Sequence, residues 1–589
     1  MTLDFLNAFN MVGRKTMLQR VLEISPAASK WANWAYSQHS YLFIGNSNIM
    51  SCSGIKQGDP LGPYYFCLVL DALVKAINEK FPGLKLHVWY LDDGTIVCPS
   101  SMVKEIYEFV ANSSRSLGLE LNDEKCFVYA PTHQPQWDEL PPLVNRSTEG
   151  LVILGSPVGN MSFISDFAEE KVKELNAAID LLPEMDNKQA ELLLLRACFS
   201  NCKIAHLTNT VDPGYLAEAL SKFDRKVQSM VEACLGYTFR NQSHGPDGIE
   251  HDVLRDYWSL PYSFSGFALP ELLPLAEINF VSSILSTEKW QSTICGSSRP
   301  CPPLPKLEMD LDQLKEIAKG KKGFHLQKHL TLEFNKILSK RVKNEADPRL
   351  KTIIKCRSQK GTSKFLQAYP SEFDGTKIEN AQFIALLKYA SGLQFHGCSS
   401  NCPECNKPQD SFGDHAVSCQ FTSARIAKHN FIRDVIEEGC VSAAFMTAKE
   451  IPFKDSLINA ANGNRAGDLV IYNYEGLKDL FVDVTVVNPL CPSYFQAAQK
   501  PLGACAARIG EKKNKYRNVV GNNWFEVCAI ESFGGISPNA IPIFKCIALR
   551  SAPRKNISYA KALNELLYKI NLSLQKSNGE MLARRMGMM

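Results

Sequence analysis

The sequence has no apolar run of about 18 residues or more, so nothing in it reads as a membrane-spanning helix. It also lacks a signal-length apolar run near its start, where Asp4 already interrupts MTLDFLNAFNMVGRK, and this argues against secretion. No internal repeat is visible. The excess of one charge is slight: 65 Lys and Arg against 61 Asp and Glu give +4. That is too little to argue for nucleic acid unless the positive charge is concentrated somewhere. With 45% hydrophobic and 21% charged residues, buried cores are possible throughout and wholesale disorder is excluded. A chain of 589 residues suits roughly four domains of about 150 residues. The 19 cysteines are an odd number spread through core-like segments, which suits reduced thiols inside a cell, a few of them free to hold metal.

Residues 1–160 alternate between short strands and helices. LHVWYLDDGTIVC (86–98) has apolar and β-branched arms around Asp-Asp-Gly, the pattern of a tight hairpin, and LVILGSPVG (151–159) reads as a further strand ending in Gly and Pro. From about 165 to 240 apolar residues recur three and four apart, which predicts helices. GSSRPCPPLP (296–305) reads as a linker. Residues 315–364 then hold fifteen Lys and Arg, among them Lys319, Lys321, Lys322, Lys328, Lys340, Arg341, Lys343 and Arg349, against Glu316, Glu333, Glu345 and Asp347. Such a stretch is either a phosphate-binding surface or a solvated helix face.

Asp4 sits in a short apolar strand, and Asp92 and Asp93 sit in the hairpin turn. Adjacent aspartates among Trp89, Tyr90, Ile96 and Val97 are costly to desolvate unless cations neutralise them, and Mg²⁺ (or Mn²⁺), which takes carboxylate oxygens, is the natural partner. Taken alone, Asp-Asp-Gly is also an ordinary turn. Its surroundings narrow the choice. LDFLNAFN, then GIKQGDPLGP before an apolar helix, then YLDDG, LGLELNDEKCFVY and LGSPVG stand in the order of the motifs of a reverse-transcriptase palm, and residues 1–160 resemble that family. The resemblance implies a right-hand polymerase palm followed by a helical thumb over 161–290. It makes Asp4, Asp92 and Asp93 metal ligands and Lys125 a general acid toward pyrophosphate, although an exposed lysine fits equally well. Phe9 becomes the residue that crowds a ribose 2′-hydroxyl, and Gln57 and Gly58 lie by the incoming nucleotide and template. RNA template, DNA primer and dNTPs are the implied partners. The family's fingers precede the first motif, and only three residues precede Asp4. The chain is therefore expected to be a C-terminal portion, with the Asp4 strand short of a pairing partner.

Downstream, Cys402, Cys405, His415 and Cys419 give C-x2-C-x9-H-x3-C, a ligand set for tetrahedral Zn²⁺, with His396, Cys398 and His429 as spare candidates nearby. Next, Asp468 and Asp483 flank two apolar runs whose midpoint falls between Glu475 and Gly476. A hairpin centred there sets the two acids opposite one another and puts Phe481, Asp483 and Thr485 on one face, a second invitation to a divalent ion. RIGEKKNKYRN (508–518) follows with Lys512, Lys513 and Lys515, which the sequence does not separate. Acid, hairpin, acid and later lysine resemble the PD-(D/E)xK restriction-like nucleases, although Gly467 replaces the usual proline and Thr485 the usual lysine. Glu450 and Glu531 are further possible ligands.

Together these features resemble a non-LTR retrotransposon protein. The implied fold class is multidomain α+β: palm (1–160), helical thumb (161–290), linker and basic helical region (291–378), helix and CCHC zinc knuckle (379–430), α/β restriction-endonuclease-like domain (431–550) and basic C-terminal tail (551–589). The implied activity is target-primed reverse transcription with DNA nicking, in the nucleus. No protein partner is indicated and no membrane. The alternative is a catalytically inactive nucleic-acid-binding remnant lacking the dNTP-binding fingers.

Overall fold

The computed structural model describes all residues except 240–242, 245–249, 305–306, 308, 310, 320–322, 397–400, 420, 451–466, 477, 518–523 and 589. Lys321, Lys322 and Cys398 therefore lie outside the described residues. The chain forms two compact units: 1–173 with 204–220 and 276–328, and 174–203 with 221–275 and 329–589. The stretch expected as a thumb, 161–290, is divided between the two units, because helical periodicity shows which face is apolar but not which core receives it.

The first unit is built on a five-stranded sheet of order β4-β5-β1-β6-β7. Its strands are β1 (Thr2–Leu3), β4 (Leu86–Tyr90), β5 (Asp93–Val97), β6 (Phe127–Tyr129) and β7 (Asn145–Ser147). β2 (Ser40–Ile44) with β3 (Ser47–Ser51), and β8 (Gly150–Ile153) with β9 (Ser156–Gly159), are separate hairpins. The 151–159 segment is thus two strands rather than one, reversed at Leu154 and Gly155, both at positive φ. β1 is not short of partners. Thr2 and Leu3 pair with Thr95 and Gly94 of β5, and Thr2 also pairs with Phe127 of β6, so the strand leading into Asp4 is central in the sheet. Leu3, Phe5, Val69, Ile96 and Ile106 form the core between the sheet and helices Gly62–Lys80 and Val103–Arg115.

The loop after β3 is bolted to the segment behind Asp4. Arg14, 8% exposed, donates to the carbonyls of Gly54 (2.8 Å) and Ser51 (2.7 Å), and the Ile55 amide donates to Phe9 O at 2.7 Å. Gly54 has φ +68°, and a Cβ there would meet Asn10 O at 2.2 Å. Only glycine permits so close a backbone approach.

In the second unit, β12 (Thr447–Lys449), β13 (Leu469–Glu475), β14 (Lys478–Val487) and β15 (Trp524–Glu531) form a sheet in that order; the first three are antiparallel and β15 is parallel to β14. A two-stranded pair, β10 (Ser243–His244) and β11 (Glu250–His251), stands apart from it. Helices Thr422–Ser442, Ile541–Arg554 and Tyr559–Arg585 cover one face through Ile432, Ile436, Phe544, Ile547 and Ile570. Helix Gly503–Tyr516 covers the other through Ala504, Cys505 and Tyr516. Covered on both faces, β14 reads as a nearly continuous apolar run, LFVDVTVV. Residues 551–589, expected as a basic tail, instead supply the 27-residue helix Tyr559–Arg585, whose apolar side is core.

Gly54 and Gly58 both have positive φ (+68° and +88°), but a Cβ at Gly58 meets nothing within 4 Å. Gly58→Ala should therefore cost about 1 kcal/mol from its backbone conformation alone. Gly54→Ala should cost at least about 2 kcal/mol, because backbone must also shift. Urea midpoints for the two variants test this, and equal midpoints would contradict the close-approach argument.

Candidate functional sites

Three acids and a lysine converge at the end of the first sheet. Tyr90 pairs with Asp93, so the reversing residues are Leu91 (φ 56°) and Asp92, and Asp93 already belongs to β5. The turn is therefore Leu-Asp rather than Asp-Asp-Gly. Gly94 is needed for another reason: a Cβ there would lie 2.6 Å from the Trp89 ring, which stacks on Phe5. Continuing the β1–β5 register one step past Leu3↔Gly94 sets Asp4 across from Asp93. The Asn122 amide donates to Asp4 O at 2.9 Å, which brings the 3₁₀ turn Asp123–Lys125 alongside. Lost hydration pushes the Asp4 carboxyl up; Lys125 pulls it back and Asp92 adds to the rise. Asp93, although its edge stays exposed, is pushed up by the same loss of hydration and then by Asp92 and Asp4, with Lys125 opposing. The four groups thus share one electrostatic site, an all-oxygen donor set beside one ammonium, which fits Mg²⁺.

Phe9 is half-buried and stacks on Phe66 with centroids 4.5 Å apart. Gln57 and Gly58 are exposed on the loop that Gly54 and Arg14 hold in place.

The Cys/His cluster is assembled in the second unit. The ligand atoms of Cys402, Cys405, His415 and Cys419 lie within 4.8 Å of one another. Cys402 Sγ and Cys419 Sγ are 3.9 Å apart, and Cys405 Sγ and His415 Nε2 are 3.2 Å apart. A tetrahedral zinc with bonds of about 2.3 Å to sulfur and 2.05 Å to nitrogen requires edges of about 3.8 and 3.6 Å. Burial raises the Cys402 thiol, but the Cys405 and Glu404 amides outweigh it and bring it to about 6. The knuckle turns at Asn406 (φ 57°), and Asp410 accepts from the amides of Phe412, Asp414 and His415, which orients the short helix Asp414–Ser418. Arg585, 1% exposed, and Arg584 both bond Glu404, while Arg349 clamps Asp414 in two-pronged fashion.

The second acidic pair meets at the rim of the second sheet. Leu469↔Val482 and Val470↔Phe481 continue to Asp468 opposite Asp483. Asp468 Oδ2 accepts from the Val484 amide at 2.6 Å. Asp483 is 2% exposed; Lys512 Nζ is 2.9 Å from its Oδ1, and its buried Oδ2 has no hydrogen-bond partner among the described residues. Burial pushes this carboxyl up, Lys512 pulls it down and Asp468 pushes it up again. The orphaned oxygen, at a buried acid facing a second acid, fits a divalent cation.

Helix geometry separates the three lysines. Lys512 shares the inward stripe of Cys505, Arg508 and Tyr516; Lys513 turns to Glu526 at 3.4 Å, and Lys515 lies over the Tyr516 ring. Arg508 Nε reaches Thr485 Oγ1 at 3.3 Å, so a cation stands where the sequence offers threonine. Of the two further acids, Glu450 lies beside the pair, its amide donating to Asp468 O at 3.2 Å and its carboxylate bonding Arg433 at 3.1 Å, whereas Glu531 lies away from it. Glu531 pairs with Val487, four residues and about 13 Å along the strand from the Asp483 register, and burial pushes it to about 7. His429, expected as a spare zinc ligand, instead has Nε2 3.4 Å from Asp468 Oδ1. The signal for it was present: His429, Ile432, Ile436 and Cys440 form one helical stripe, the last three fully buried.

The basic stretch is partly internal. Arg341 pairs with Asp256 (2.8 Å), Arg349 with Asp414, buried Arg357 donates to Tyr257 Oη (2.6 Å), and Lys355 to Gln499 O (2.6 Å). Lys328, Lys340, Lys343 and Lys360 remain exposed.

Residues 1–157 match the family described as reverse transcriptase (RNA-dependent DNA polymerase). Over 282 residues, 47% of this chain and 22% of the relative, the chain is 23% identical to the retrotransposable element SLACS 132 kDa protein of Trypanosoma brucei gambiense. Over 87 residues, 13% of the chain and 14% of the relative, it is 34% identical to the retrovirus-related Pol polyprotein from type-1 retrotransposable element R2 of Popillia japonica. The chain thus spans about a fifth and a seventh of these relatives' lengths. The matches support a reverse transcriptase with relatives among non-LTR retrotransposons.

The near-tetrahedral sulfur and nitrogen edges predict one zinc per chain, held by Cys402, Cys405, His415 and Cys419. Chelation should speed amide exchange through 401–419, and Cys405→Ser should reproduce the effect. Metal analysis finding no zinc in the purified protein would refute the assignment.

Proposed function

We propose that this chain is the polymerase and nuclease portion of a non-LTR retrotransposon protein, one that nicks target DNA and extends the new 3′-hydroxyl along the element's RNA. The observation that carries the polymerase reading is the convergence of Asp4, Asp92, Asp93 and Lys125 at one sheet end, within the segment that matches reverse transcriptases. Asp4, Asp92 and Asp93 would hold Mg²⁺ or Mn²⁺, which supplies charge stabilisation for phosphoryl transfer and activates the primer hydroxyl. Lys125, beside the acids, would give a proton to departing pyrophosphate. Phe9, braced by Phe66, is the residue we assign to excluding a 2′-hydroxyl, so dNTPs are the proposed substrates. Gln57 and Gly58 face nucleotide or template from the adjacent loop.

For the nuclease, Asp468 and Asp483 would share a divalent ion, and Lys512 is the lysine assigned to the attacked phosphate. The exposed lysines between 328 and 360 add backbone affinity. The same reading assigns the protein to the nucleus, where target DNA lies.

Asp92→Ala should lower primer extension on an RNA template at least about 100-fold, because losing a metal ligand removes several kcal/mol of transition-state stabilisation. Affinity for the primer–template should stay within about twofold. Extension at the parent rate would make the palm assignment wrong. For the nuclease, Asp468→Ala and Asp483→Ala should each abolish Mg²⁺- or Mn²⁺-dependent nicking of supercoiled plasmid about as fully as the double change, as residues acting as one unit do. Additive partial losses would instead assign the hairpin a scaffolding role.

A further inference from the structure

We propose that His429 is a third ligand of the Asp468/Asp483 ion, so that this site favours a first-row transition ion such as Mn²⁺ over Mg²⁺. The inference rests on reading the acid pair as a metal-dependent nuclease centre and adds a residue and an ion preference to it.

The available valences point this way. Asp468 Oδ2 already accepts from the Val484 amide at 2.6 Å, which leaves Oδ1 the more open oxygen for an ion. That oxygen faces His429 Nε2 at 3.4 Å. An octahedral ion with bonds of about 2.1 Å separates neighbouring ligands by about 3 Å, close to this spacing. Asp483 contributes a buried oxygen, Oδ2, that no group among the described residues satisfies, while Lys512 holds Oδ1. His429 also acts electrostatically on Asp483, so the imidazole addresses both acids.

Its direction is fixed by the helix that carries it. Ile432, Ile436 and Cys440, on the same stripe of Thr422–Ser442, are all fully buried in the core against the sheet, which holds the His429 turn toward the rim where β13 begins. Among the described residues, only the Cys/His cluster has three or more donors already within 4.8 Å of one another. The His429 set is looser, as expected where Asp483 is shared with a lysine. Magnesium demands oxygen ligands and dehydrates reluctantly, whereas an imidazole suits transition ions. A nitrogen beside two carboxylates therefore shifts the preference away from magnesium.

The test is pulsed electron paramagnetic resonance on the full zinc-loaded chain titrated with Mn²⁺. Asp4, Asp92 and Asp93 offer no nitrogen, so an imidazole ¹⁴N modulation on bound Mn²⁺ reports on the nuclease site. The parent should show it. His429→Ala and His429→Gln should both lose it, with Mn²⁺ affinity at this site falling about tenfold or more and Mg²⁺ affinity changing less than about twofold. Mn²⁺ that binds in an Asp483-dependent way without ¹⁴N modulation, or modulation that survives both substitutions, would overturn the proposal while leaving the acid pair as a metal site. Mn²⁺ stoichiometry unchanged by Asp468→Asn and Asp483→Asn would overturn the nuclease reading itself.

Discussion

A carboxylate removed from water must be given a positive charge or a proton, and at both sites the surrounding residues are arranged to meet that demand. In the first unit, Asp4 and Asp93 lose hydration at the end of a sheet and repel Asp92, and the compensation within the chain is one ammonium, Lys125. In the second unit, Asp483 is more deeply buried and has Lys512 on one oxygen and, among the described residues, no partner on the other. Among the described residues, a single ammonium against two or three acids leaves negative potential over, the setting in which a bound cation would be favoured. Glu531 marks the contrast. It is fully buried with no basic partner among the described residues, so burial holds it toward the neutral form, its carboxyl pushed to about 7.

Positioning these acids uses the most rigid means available. Asp4 stands beside a strand paired on both sides, and Asp483 stands mid-way along the ten-residue β14, which is paired on both sides and covered on both faces. Loop-borne acids would pay ordering entropy on binding an ion, whereas acids on central strands have already been ordered by folding. The same reasoning explains Gly54 and Arg14. A loop that must lie beside Asp4 is fixed by backbone contact too close for any Cβ and by a buried guanidinium on its carbonyls.

Much of this was legible in the sequence, and the rest was not, for reasons that differ from residue to residue. The facing of Asp468 and Asp483 followed from counting to a turn centre, because strand register is arithmetic once the turn is placed. The four cluster ligands followed from spacing. The Asp-Asp-Gly turn was misplaced by one residue because Gly94 looked like a turn glycine, and the ring that requires it, Trp89, faces it across the hairpin. Lys512 was not separable from its neighbours by composition, yet its spacing from Tyr516 and Arg508 carried the answer. The closing segment reads as a tail when its basic residues are weighed before its apolar stripe. Arg585 is buried against Glu404 and performs a structural task that charge counting assigns to solvent.

The cluster and the acid strand of the second unit depend on a shared support, the side-chain amide of Asn488, the residue following β14. Its Nδ2 donates to Ser418 Oγ at 2.9 Å and Asp414 O at 3.3 Å, both on the short helix that carries His415. Its Oδ1 accepts from Tyr389 Oη at 3.1 Å, the Leu490 amide at 3.1 Å and Ser532 Oγ at 3.2 Å, the last just past the end of β15. An asparagine that is 6% exposed and bonded from both ends of its amide cannot be exchanged for an apolar residue without orphaning several buried partners. Asp483 lies five residues back on the same chain segment. The knuckle is therefore not an appendage, since the helix that presents its histidine is pinned to the strand that presents the acid. Ordering of one thereby limits the motion available to the other.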